Sequence, residues 1–218
     1  MKITILTEGL SEFKSLPLLY PQLQKKMPTR SRIVKTLIIN ASPDAPHPQL
    51  ITSCKPNLAI AARISDMAII LLDREQQQDC PGVIATRLED GFNRVSNIPV
   101  KVVLKDRMYE NWLISDLEAL KSQPKRFSVD RSVEKRIMPN KADSVNGLLE
   151  LKRIVVSGQY DKVSDSDKIC RCAATDRMAQ NSRSFRHFLH VLGHTDYKNS
   201  CRIPNVSSKP AASKRRKG

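Results

Sequence analysis

The stretch "MAIILL", residues 67–72, constrains the fold more than any other part of this chain. Its apolar side chains run without a polar interruption. An amphipathic helix or a half-exposed strand would show polar residues at a regular period. A short unbroken run suits a strand covered on both faces, as in the middle of a parallel sheet. The run stops at Asp73, and Glu75 and Asp79 follow within "DREQQQDC". A buried strand therefore leads straight into a knot of carboxylates.

The flanking sequence fits the same plan. "KITIL" (2–6) alternates and is rich in β-branched residues, so it reads as the first strand. Residues 11–27 are helical in pattern but carry Pro17 and Pro21, which predicts a broken or kinked helix. "RIVKTLIIN" (32–40) reads as a strand, "SPDAPHP" (42–48) as a proline-rich loop, and "NLAIAARI" (57–64) as a short helix after Pro56. Residues 81–95 form an amphipathic helix opened by a proline, "VKVVL" (100–104) a further strand, and residues 107–120 one more helix. Alternating strands and helices argue for an α/β class with a largely parallel sheet flanked by helices. After residue 121 the pattern changes. Residues 122–142 read as loop, three helical stretches follow near 143–156, 164–180 and 182–193, and the polar, basic end reads as disordered. The expected organisation is a core over 1–121, a small helical basic extension over 122–198, and a disordered basic tail over 199–218.

Charge is unevenly placed. The chain carries a formal +15, yet residues 1–120 hold 15 basic and 13 acidic side chains, while residues 121–218 hold 22 and 9. A basic half points to a polyanionic partner, most simply nucleic acid. Lys209, Lys214, Arg215, Arg216 and Lys217 in the tail are the densest candidates for phosphate contacts. Five scattered cysteines fit a reducing compartment, and no apolar run approaches the ~18 residues of a membrane span. The first residues lack the apolar core of a signal peptide. The expectation is a cytoplasmic protein with no membrane partner.

In an open parallel sheet, sites form outside the carboxyl ends of the strands. Glu8 follows the first strand, Asp73 and Glu75 follow the central one, and Glu110 lies just past the last. In extended backbone, residues two apart point the same way, so Asp73 and Glu75 are expected to face one site. Converging carboxylates repel unless a cation joins them, and magnesium takes oxygen ligands of this kind. Asp116 is within reach of the face that carries Glu110, and Trp112 reads as core. His187, His190 and His194 share a spacing that puts them on one solvent-facing helix stripe opposite Phe185, Phe188, Leu189 and Leu192. Cys80 is expected to pack in its turn. Cys170 and Cys172 diverge, no zinc spacing is present, and no Gly-rich phosphate loop occurs.

With these residues in view, the chain resembles the Toprim (topoisomerase–primase) fold. More narrowly, it is similar to bacterial Toprim-like proteins encoded beside ABC-type or SMC-like ATPases. The resemblance rests on "TEGLSE" with Glu8 and Gly9, on "LLDREQQQDCPG" with Asp73, Glu75, Asp79, Cys80 and Pro81, on Glu110 and Trp112, and on Tyr160, Lys162, Ser184 and Phe185. It departs from the pattern at Glu75, where an aspartate is usual, and in "QQQD". The resemblance implies a Toprim-like metal-dependent endonuclease that cleaves DNA or RNA. Glu8 and Lys162 would be its catalytic residues, and Asp73, Glu75, Asp79 and Glu110 would hold Mg2+ or Mn2+. It also implies an ATPase partner and a role in defence against phage or plasmids. Two alternatives remain: a non-catalytic nucleic-acid-binding subunit of an ATPase complex, and a phosphohydrolase of small nucleotides.

Overall fold

The computed structural model describes residues 1–39, 45–75 and 77–197. Strands β1 (Lys2–Thr7), β2 (Arg32–Ile38), β3 (Met67–Asp73) and β4 (Val100–Lys105) form one parallel sheet in the order β2-β1-β3-β4. The apolar run of β3 is divided between two faces, as the period of a strand requires. Met67, Ile69 and Leu71 enter one core, and Ala68, Ile70 and Leu72 enter the other. The second core is closed by α3 (His47–Ile64) and α4 (Pro81–Asn93). Among the described residues the other helices belong to the first face or to the layer built on it.

Helix α1 (Leu10–Ser15), a 3-10 turn at Leu16–Leu19 and α2 (Tyr20–Lys26) take the place of one helix. Pro17 and Pro21 each stand in the first turn of the element they open, where a missing N–H costs nothing. This is the break that the prolines predict. Helix α3 departs from expectation, because it starts ten residues earlier than Asn57 and passes through Pro56. Leu50, Cys54, Leu58 and Ala61 are buried along one stripe, whereas Pro56 lies on the exposed side. Packing of the stripe outweighs the lost backbone hydrogen bond.

The helix expected over 107–120 is two helices, α5 (Tyr109–Ile114) and α6 (Leu117–Lys121). Asp116 leaves helical geometry between them, and its side chain accepts from the Ala119 backbone N–H to cap α6. Residues 122–142 are not all loop: they contain α7 (Arg131–Ile137), capped in the same way by Asp130. Then come α8 (Gly147–Ile154), α9 (Ser164–Cys172), α10 (Thr175–Asn181) and α11 (Arg183–Val191). The stretch expected as one helix over 164–180 is therefore two.

These C-terminal helices share the first core with the sheet. Trp112 on α5 is fully buried, with its ring stacked on Phe188 at 5.3 Å and edge-on to Phe185 at 5.1 Å. Its Nε1–H donates to Ser184 Oγ at 2.8 Å. Among the described residues no helix is long and apolar enough to cross a membrane. The expected basic tail, with Lys209, Lys214, Arg215, Arg216 and Lys217, lies outside the described residues, as do residues 42–44 of the expected proline-rich loop.

Candidate functional site

The strand order creates the place for a site. The chain leaves β1 toward β2 on one side and later leaves β3 toward β4 on the other. In such sheets the crevice opens outside the carboxyl ends of the two strands where the order reverses. Glu8 directly follows β1, and Asp73 ends β3 beside it. Side-chain parity does the rest. Asp73 has the parity of Ile69 and Leu71, and Lys105 has that of Val103, so both project on the face covered by α1. Asp73 and Lys105 are also partners in the β3–β4 register. Helix α1 begins just after Gly9, and Glu12 in its first turn comes over the same strand ends.

Lys105 sits at the centre of these acids with no exposed surface. Its Nζ donates to Glu12 Oε1, stands 2.9 Å from Asp73 Oδ1 and lies 3.8 Å from Glu8 Oε2. Glu8 Oε2 also accepts from the Asp73 backbone N–H at 2.6 Å. One ammonium cannot neutralise three carboxylates. Burial pushes the Glu8 carboxyl up to about 8 and the Glu12 carboxyl up to about 7, against the pull of Lys105 in both cases. Burial disfavours the lysine's charge as well, yet Asp73, Glu12 and Glu8 together hold it above the ordinary lysine value.

A cavity of about 320 Å³ opens on this cluster, lined among others by Glu8, Glu12, Asp73, Tyr109, Glu110 and Lys162. Glu8 Oε1 and Glu12 Oε2 are buried without a hydrogen-bond partner, and Asp73 Oδ1 has only its ion pair with Lys105. Glu110 is nearly buried, with its Oε1 3.5 Å from Lys162 Nζ, whose side chain is exposed. Two local devices fix these last residues. Gly147 lies against the backbone of α5, where a Cβ would stand 2.6 Å from Asn111 N and 2.7 Å from Glu110 C. Only glycine lets α8 approach α5 so closely at Glu110. Arg126 clamps the loop before Lys162, donating to Ser157 O at 2.6 Å, Gln159 O at 2.7 Å and Asp165 Oδ1 at 2.9 Å.

The structure brings together Glu8, Asp73, Glu110 and Lys162 of the expected residues. It does not bring Glu75 and Asp79 to the cavity. Regular strand geometry ends at Asp73, and Glu75 adopts a left-handed φ of 52°, which breaks the two-residue alternation that was to aim it with Asp73. Its backbone N–H donates to Arg107 O, and Arg107 is itself left-handed. Asp79 is exposed and pairs with Arg87 at 3.1 Å. Asp116 is occupied by the cap of α6 and by Arg177 at 2.7 Å.

The histidines also differ from expectation. His194 lies beyond the end of α11 and is buried, its Nε2 2.8 Å from Leu23 O, so the three do not form one solvent-facing stripe. Cys80 is exposed rather than packed. Sequence reasoning missed Lys105 and Glu12. A partial signal was present: Lys105 shares the parity of Val103 in "VKVVLK", and Glu12 follows Glu8 by four residues, in the first turn of α1.

The sequence pattern of a family described as "Domain of unknown function (DUF4276)" matches residues 7–193. The chain belongs to the DUF4276 family. The matched span begins on the last residue of β1 and ends just past α11, so this DUF4276 region contains every residue of the cavity. No curated protein and no solved structure matches the chain.

Proposed function

We propose that the cleft is the catalytic centre of a Toprim-like, metal-dependent endonuclease acting on DNA or RNA. The observation that carries this reading is the convergence of Glu8, Glu12 and Asp73 on one cavity at the switch point, with carboxylate oxygens left without hydrogen-bond partners. Hydrolysis of a phosphodiester adds water at phosphorus and returns a proton to the leaving oxygen. Glu8 is the group for that proton, because burial holds its carboxyl up at about 8 and its Oε1 has no hydrogen-bond partner on the cavity. Lys162 stands at the rim as an exposed point charge suited to a phosphate, with Glu110 as its resting partner.

Among the described residues no group of three or more His, Cys, Asp or Glu side chains stands arranged to hold a metal ion. Magnesium needs fewer, since it is commonly held by one or two carboxylates and keeps several waters. Asp73, whose Oδ1 pairs only with Lys105, and Glu110, which lines the same cavity, would hold Mg2+ or Mn2+. When bound, the ion polarises a phosphoryl oxygen and activates water.

Lys105 supports a second reading. An ammonium already fixed among the acids suits a non-catalytic subunit that holds nucleic acid for an ATPase partner. Incubation with plasmid, linear DNA and tRNA, with and without Mg2+ or Mn2+, separates the two. The nuclease reading expects divalent-dependent cleavage that Asp73→Ala abolishes while circular dichroism stays unchanged. Equal cleavage by wild type and Asp73→Ala, or none by either, would refute it.

A further inference from the structure

A second cavity, of about 520 Å³, adjoins the first, and Lys162 lines both. Its other walls are Leu148 and Lys152 of α8, and Gly158, Gln159 and Tyr160 of the loop that follows. We propose that this cavity receives one unpaired nucleobase of a single-stranded nucleic acid, beside the phosphate held by Lys162. The inference rests on the nucleic-acid reading of the neighbouring cleft and names its substrate class.

Size, chemistry and rigidity each support this occupant. The volume lies within the ~300–1,000 Å³ of small-molecule sites, so it suits one base and not a helix. Leu148 and Tyr160 supply apolar wall for the faces of a base. Gln159 is exposed beside them, with an amide that can both donate and accept at a base edge. Lys152 and Lys162 are exposed cations that match the flanking phosphates. The pocket is also pre-formed. Arg126 ties Ser157, Gln159 and Asp165 into one clamp, so the loop need not be ordered on binding. Bases inside a duplex are stacked and paired, and cannot enter without being flipped out. Bases of a single strand splay into such pockets readily.

The test is fluorescence anisotropy on the full chain in the presence of a chelator, with oligo-dT, oligo-U and a DNA duplex of roughly ten nucleotides per strand. Both single strands are expected to bind about tenfold tighter than the duplex, as one buried base contact provides. Gln159→Trp, which fills the cavity from an exposed position, should remove that preference, and Lys152→Ala should reduce it. Circular dichroism should be unchanged in both variants. Equal affinity of wild type for strand and duplex, or a preference untouched by Gln159→Trp, would overturn the proposal. The chelated protein cannot cut, so the outcome is independent of catalysis. A protein that prefers single strands but never cleaves sinks the nuclease reading alone, and an active nuclease without the preference sinks this inference alone.

Discussion

Replacing Lys105 by methionine keeps an unbranched side chain as far as Cε and removes the ammonium from the middle of Glu8, Glu12 and Asp73. Deleting one partner of a buried ion pair costs about 3–5 kcal/mol, because the other charge is left buried and alone. The cost must depend on pH in a direction that the structure sets. Folding raises the Glu8 carboxyl from an ordinary 4.5 to about 8 and the Glu12 carboxyl to about 7. The folded state therefore binds protons more tightly than the unfolded chain at these two groups. Their contribution is fully present below about 4.5 and is lost as pH rises toward 8. Above about 8 both glutamates are ionised in the wild type, and the methionine variant must bury their charge with no cation. Near 4.5 the two glutamates are protonated, and what is lost with the ammonium is its pair with Asp73. Urea unfolding followed by circular dichroism should thus give a loss of about 3–5 kcal/mol at the alkaline end and a smaller loss at the acid end. An equal loss at both ends would mean that Lys105 acts by packing alone, and the electrostatic account of the site would be wrong.

Glu8→Gln places a neutral amide where burial already disfavours charge, so stability at alkaline pH should hold or rise, measured by thermal melting. If Glu8 moves the proton in cleavage, the same variant should cut about 10²–10⁴-fold more slowly. Gly147→Ala forces a Cβ against the α5 backbone, which cannot yield as a side-chain tip would. A loss of about 1–3 kcal/mol is expected in urea unfolding, and an unchanged midpoint would show that α8 can slide away from Glu110 without cost.

The central strand was legible because β3 is buried on both faces and carries no polar residue before Asp73. Pro17 and Pro21 likewise marked breaks that occur where the pyrrolidine ring dictates. Pro56 misled, since its local preference says nothing about the buried stripe from Leu50 to Ala61 that carries α3 through it. At the site, the strand ends placed Glu8, Asp73 and Glu110 from sequence alone. The extended geometry assumed for Glu75 failed one residue past the sheet, where a left-handed turn replaces the alternation. Lys105 was hidden for a different reason. The strand was expected to end at Leu104, and it is the pairing of β3 with β4 that carries it on to Lys105, opposite Asp73.

The packing of Trp112 against Phe185 and Phe188 joins the last long helix to the sheet side of the protein through one unbroken core. No seam runs between the part that holds the acids and the part that holds Lys162. A chain ended at residue 121 would expose the indole and most of the apolar surface of α5, and the missing helices would have no sheet to cover. Heat should accordingly melt the two together in one calorimetric transition. A substitution as distant as Phe188 would then reach the strand ends by lowering the stability of the whole unit, with no displacement of any residue that lines the cavity.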